Sequence, residues 1–173
     1  MIGFNGGLLG ASRTPGFDAA VGLWMPQEQC LAQLRKRWKA SAAPVYSQSS
    51  LYSGATAASL ANMTNGSFTD TATATDYGGS PWVKVDYGQI VRMESAVVGT
   101  ATGSIPGGWS KIYTEGKDVQ VSTDDSTWTT VFNTGTFATE GIYTFYFAPV
   151  EARYMRITVT GDSWVAISEF YAL

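Results

Sequence analysis

From residue 82 onward, polar and apolar residues alternate in short runs. Trp82-Val83-Lys84-Val85-Asp86, Val119-Gln120-Val121 and Thr127-Trp128-Thr129-Thr130-Val131-Phe132 each send every second side chain to one face. That is the period of a half-buried strand. Further β-branched and aromatic runs cover residues 95–98, 142–147, 154–160 and 165–170. Gly, Asn, Asp and Ser, the residues of turns, separate them. Seven or eight short strands with no helical pattern between them predict an all-β antiparallel sandwich or jelly roll. Asp124-Asp125-Ser126 suits a hairpin connection, and Asp86-Tyr87-Gly88 is expected to end its strand at a turn.

The upstream segment reads differently. Residues 1–25 scatter Phe4, Leu8, Leu9, Phe17, Leu23 and Trp24 among glycines with no strand or helix period. Such a segment cannot build its own core, so it predicts an extended arm that lies on something else. Pro26 opens a short helix expected over residues 27–39, where Leu31, Leu34 and Trp38 share one face. Ser41-Ala42-Ala43-Pro44 reads as a linker. The predicted organisation is an arm with a short helix over 1–40, a linker over 41–46, and a β-sandwich over 47–173.

Composition narrows the chemistry. Only 14% of residues are charged, against roughly 25% in an average soluble domain. The chain has no histidine, which removes histidine bases, Ser-His-Asp and Cys-His machinery, and histidine-ligated metals. Its single cysteine, Cys30, cannot form an internal disulfide. A net charge of -3 argues against a nucleic-acid partner. No run approaches the roughly 18 apolar residues of a membrane span, so membrane insertion is not expected. The opening lacks a basic leader region, which points to synthesis in the cytoplasm. Charge is uneven along the chain. Residues 1–40 carry five basic and two acidic residues (+3), and the remainder carries six basic and twelve acidic (-6), so the two parts suit different partners.

Three segments in fixed order carry a resemblance: Pro81-Trp82-Val83-Lys84-Val85-Asp86-Tyr87-Gly88, then Val119-Gln120-Val121-Ser122-Thr123-Asp124-Asp125-Ser126-Thr127-Trp128, then Ala152-Arg153-Tyr154-Met155-Arg156-Ile157 with Ile167-Ser168-Glu169-Phe170. They resemble the discoidin, or coagulation factor 5/8 type C, family of galactose-binding-like domains over about residues 47–173. The resemblance implies a discoidin-like sandwich with ligand loops at one end. Those loops are residues 73–80, 100–116 and 161–164. They offer Tyr77, Trp109, Tyr113 and Trp164, with Lys111 and Asp162 nearby, and aromatic rings can stack on sugar faces. An alternative is that Trp109 and Tyr113 only pack beneath a long loop and that Trp164 enters the last strand. The family often holds a structural calcium near an Asp-Gly turn. Here that turn reads Asn65-Gly66, with Asp70, Thr71 and Glu169 as further oxygen ligands. No other cofactor is implied.

The opening, Ile2-Gly3-Phe4-Asn5-Gly6-Gly7-Leu8-Leu9-Gly10 with Arg13-Thr14-Pro15, Gly22-Leu23-Trp24 and Glu28-Gln29, resembles the start of structural proteins of tailed bacteriophages. It implies that Phe4, Leu8, Leu9, Arg13, Phe17, Leu23 and Trp24 dock the chain onto other virion proteins of capsid or tail. The combined expectation is a non-enzymatic protein of the virion surface, a capsid decoration or head-fibre protein that displays a glycan-binding domain to host-surface glycans. Repetition as a homo-oligomer, for example a trimer, would add avidity. A tail adhesin and a free carbohydrate-binding module or lectin are the alternatives. A two-acid glycosidase is disfavoured, because Asp118, Asp124, Asp125 and Glu140 fall at expected turns.

Overall fold

The structure is a computed structural model, and it describes residues 43–52, 60, 62–69, 72–102 and 109–173. The arm, the helix expected over 27–39 and the docking residues Phe4, Leu8, Leu9, Arg13, Phe17, Leu23 and Trp24 lie outside the described residues. Nine strands follow in chain order: β1 (Val45–Gln48), β2 (Thr73–Ala74), β3 (Gly78–Gly79), β4 (Trp82–Thr100), β5 (Asp118–Ser122), β6 (Thr129–Asn133), β7 (Ile142–Thr158), β8 (Asp162–Ser163) and β9 (Ala166–Ala172). A 3-10 turn spans Lys111–Tyr113. The main sheet runs β2-β9-β4-β7-β5-β6, with β1 also on β4, while β3 and β8 form a separate two-stranded ribbon. Every pairing is antiparallel, as the alternating pattern predicts.

Four of the expected short strands are halves of two long ones. β4 joins the 82–86 and 95–98 runs, and β7 joins 142–147 to 154–158. The ladder between them slips twice, between Asp86 and Val91 and between Met93 and Ser95. At the first slip Gly88 takes φ +73, a backbone state that favours glycine, and its N–H donates to Asp86 Oδ1 at 2.7 Å. Asp86-Tyr87-Gly88 therefore bends the strand where the sequence suggested an end. At the second slip β7 inserts Phe147, Ala148 and Pro149, and a proline with no N–H is tolerated where the ladder is broken. The bends divide the pairing. The first half of β4 lies between β1 and the end of β7, and its second half lies between β9 and the start of β7.

The core is the inward face of that bent sheet. Val83, Val85 and Tyr87 are buried and alternate with half-buried Trp82, Lys84 and Asp86. Met93, Val98, Val119, Met155, Ile157, Ile167 and Phe170 complete it, each stabilising the fold by about 1.5–3 kcal/mol through burial. Two tyrosines tie β9 down. Tyr46 Oη donates to the Phe170 carbonyl at 2.7 Å, and Tyr87 Oη accepts the Ala172 N–H at 2.7 Å. Burial pushes both phenols above their ordinary range, so they act as neutral hydrogen-bonding groups. Val45 and Tyr46, placed in the linker by the sequence, are already strand β1, because Tyr46 is drawn inward.

Outside, Arg153 grips Asp86 through two bonds of 2.8 and 2.9 Å. Its guanidinium also lies 4.9 Å from the Tyr154 ring centre, and that of Arg156 lies 4.0 Å from Trp128. Asp124 closes the β5–β6 hairpin by accepting the N–H groups of Ser126 and Thr127 at 2.9 and 2.8 Å.

Two outcomes are expected. At Gly99 an added Cβ would come within 2.7 Å of the Glu169 backbone nitrogen, and backbone cannot step aside cheaply. Gly99→Ala should cost about 1–3 kcal/mol, read as a lower midpoint in denaturant. The Arg153 bonds hold the Asp86 carboxyl below its usual range. Its stabilisation is therefore present above the unfolded-state value of about 4 and is lost as pH falls through the depressed folded value. Thermal melts between neutral and acid pH should show this fall in wild type and a shallower one in Asp86→Asn.

Candidate functional site

One end of the domain gathers the β3–β8 ribbon, the start of β9, the end of β4 and the Lys111–Tyr113 turn. Thr114 is the knot. Its hydroxyl donates to the Ala166 carbonyl at 2.7 Å and accepts the Ala101 N–H at 3.1 Å. Its carbonyl accepts the Thr134 hydroxyl at 2.8 Å. A fully buried threonine thus binds three chain segments, which fixes the turn beside it.

Over that knot stands a column of aromatic rings. Tyr52 meets Trp109 edge to face at 4.9 Å, Trp109 meets Tyr113 at 4.8 Å, Tyr113 meets Trp164 at 5.8 Å, and Trp164 meets Tyr77 at 4.5 Å. Such pairs each contribute roughly 0.5–1.5 kcal/mol beyond area burial. The column is graded. Trp109, 5% exposed, packs with Ala74, Ala101 and Ala166 at its base. Tyr113 and Trp164 are half-buried, and Tyr77 is 57% exposed at the tip. The strand beside the tip is bare: β3 is Gly78-Gly79, and a Cβ at Gly78 would meet nothing within 4 Å. Exposed Asp162 pairs with Gly79, and its Oδ1 would lie 3.7 Å from a Cβ there. Ser80 closes the ribbon with φ +56, a left-handed state uncommon for a non-glycine residue. Its N–H donates to the Gly161 carbonyl at 2.9 Å.

The residues expected at this site do not all reach the surface. Tyr77, Tyr113, Trp164 and Asp162 come together. Trp109 does not present a face: it is the floor under Tyr113, the packing role weighed as its alternative. Lys111 is engaged elsewhere. Its ammonium donates to Glu115 Oε1 at 2.6 Å and to the Phe137 carbonyl at 2.5 Å; the bond from Lys111, with the Phe137 N–H donated to the same Oε1 at 3.0 Å, holds the Glu115 carboxyl below its usual range. Sequence reasoning missed Tyr52, Ser80 and Lys117. Lys117 is 5% exposed, and its ammonium donates to Ser163 Oγ at 3.2 Å, under the ribbon. Burial pushes its pKa down. The Gly78-Gly79 pair was the available signal for a bare strand; the other three carry no sequence mark.

For calcium, Glu169 is fully buried on β9, and its Oε1 accepts the Gly66 N–H at 2.9 Å. A buried carboxylate against a turn is the right donor type. Asn65 is a poorer one, because its Oδ1 accepts the Ser67 N–H at 2.8 Å. Asp70 and Thr71 lie outside the described residues. Among the described residues no three carboxylates gather as a metal cluster.

Because Trp109 is floor and not platform, Trp109→Ala should destabilise the domain by about 3–5 kcal/mol, read in chemical denaturation. A variant of wild-type stability would contradict this packing role.

Comparison with known proteins follows the same outline. The F5/8 type C domain family matches residues 44–170. No curated protein sequence matches the chain. Among solved structures, the CBM32 of AlyQ in complex with 4,5-unsaturated mannuronic acid is 20% identical with a TM-score of 0.56, covering 75% of this chain and 93% of that one. The lectin domain of lectinolysin complexed with Lewis B antigen is 16% identical with a TM-score of 0.62, covering 75% and 91%. A fucolectin from striped bass (Morone saxatilis) serum is 18% identical with a TM-score of 0.62, covering 75% and 46%. With more than half its length matched and the sandwich in place, the chain belongs to the F5/8 type C domain family.

Proposed function

We propose that this domain is a carbohydrate-binding module that holds a sugar without acting on it. The observation that carries the reading is the exposed Tyr77 ring, braced by Trp164 beside a side-chain-free strand and the Asp162 carboxylate. A pyranose ring has an apolar face that stacks on an aromatic and hydroxyls that donate to a carboxylate. Neighbouring rings of the column stand at 54° to 89° to one another, so they do not form a flat platform, and the tip offers one ring for stacking. Glycan complexes among structures of the same fold support the reading. The virion role expected of residues 1–40 is a separate proposal that rests on that segment's sequence; immunogold labelling of phage particles with antibody to residues 44–173 tests it. A structural calcium, implied by the family resemblance, would be held by Glu169 with backbone carbonyl oxygens of the Asn65-Gly66 turn and would stiffen that turn.

Tyr77→Ala should weaken glycan binding about tenfold, roughly 1.4 kcal/mol, in calorimetry with a glycan selected from an array. The variant should stay folded with only a small fall in melting temperature, since the ring is mostly exposed and loses one ring pair, to Trp164. Equal binding by the folded variant would remove Tyr77 from the site.

A further inference from the structure

Resting on that reading, the charges around the tip carry a further step. Asp76 directly precedes Tyr77, and Asp162 lies over Gly79; both are exposed, and neither is in an ion pair among the described residues. The nearby cations are spent or sealed. Lys111 is bound to Glu115 and the Phe137 carbonyl, and Lys117 is buried beneath Ser163. Residues 101–110 carry no charge at all. Lys84, Arg153 and Arg156 are turned to Asp125, Asp86 and Trp128 on the outer sheet face. A ligand on Tyr77 therefore meets two carboxylates and no accessible ammonium or guanidinium among the described residues.

We propose that Asp76 and Asp162 make this site selective for neutral and amine-bearing saccharides and set it against uronates and sulfated sugars. Asp162 accepts hydroxyl or ammonium donors from a ring stacked on Tyr77, and both carboxylates repel an anionic substituent. Unit charges about 4 Å apart in water interact by about 1 kcal/mol, roughly fivefold in affinity. Fivefold from each of two carboxylates makes about twenty-fivefold between a neutral and a uronate-bearing ligand at full contact, and screening by salt brings this to about tenfold. The effect shrinks as salt shortens the screening length.

The test is a printed array of neutral, amine-bearing, uronate-bearing and sulfated glycans of matched length. It is probed with the full chain, Asp162→Asn, Asp76→Asn and Tyr77→Ala, each first shown to be folded by a cooperative melt. The expected result is binding of neutral and amine-bearing glycans, lost in Tyr77→Ala, with acidic glycans bound about tenfold less. Either Asp→Asn change should narrow that gap. Tyr77-dependent binding of uronates equal to that of neutral glycans would overturn the charge selection and leave sugar binding standing. Equal discrimination in both Asp→Asn variants would also overturn it. No Tyr77-dependent binding of any glycan would overturn the sugar-binding reading and this inference with it.

Discussion

The domain is organised by the position of β4, which lies between β7 and β9 along its second half and between β7 and β1 along its first. Gly99 is where that packing is tightest. It pairs with Ile142 on one side and Glu169 on the other, and the missing side chain lets β9 come against β4 at a distance no Cβ would allow. One residue later the Thr100 carbonyl accepts the Ser168 hydroxyl at 2.9 Å, and the Thr100 hydroxyl accepts the Gly141 N–H at 3.0 Å. These bonds set the chain ends from which the site loops depart. The place of the aromatic column is thus a consequence of backbone proximity in the sheet.

The column converts that proximity into a rigid surface. Its base is buried with small alanines, which leave room for the Trp109 indole. Its middle is wedged edge to face, a geometry that resists sliding because each ring edge meets the negative face of the next. Its tip rises on a ribbon of only two residues per strand, held by the Ser80–Gly161 bond and by Lys117 from below. A ribbon so short has little stability alone. It is ordered by what it leans on, so changes at Trp164 or Lys117 act on the position of Tyr77 through packing.

Period-two alternation made β5 and the first half of β4 legible, because one face of each enters the core, while β9 is buried on both faces and shows only as a β-branched and aromatic run. Alternation could not show that Asp86-Tyr87-Gly88 continues a strand, since a bulge and a turn use the same residues. β3 and β8 were hidden because two residues are too few to show a period, and β3 is glycine alone. Tyr77, Trp164 and Asp162 were legible as loop residues once the family's outline was in view. Sequence left Trp109 open between a surface ring and a packed one, because burial in a loop depends on contacts such as those with Ala74 and Ala166, distant in sequence. Tyr52 was missed for the same reason: its partner is 57 positions away.

The acids with shifted pKa values serve structural contacts. A two-carboxylate glycosidase needs one acid with a raised pKa to protonate a leaving group, and a partner on the other side of the bond. The resolved acid shifts among the described residues run the other way. Arg153 lowers Asp86, Lys111 lowers Glu115, and backbone N–H groups lower Asp124. Each is held ionised by a structural contact away from Tyr77. Asp118 accepts from Asn133 at 2.8 Å, which joins β5 to β6. Near the aromatic tip, Asp76 and Asp162 are exposed, so their carboxyl oxygens are open to hydroxyl donors. On the proposed reading, an exposed carboxyl acceptor beside an aromatic face is suited to hold a sugar.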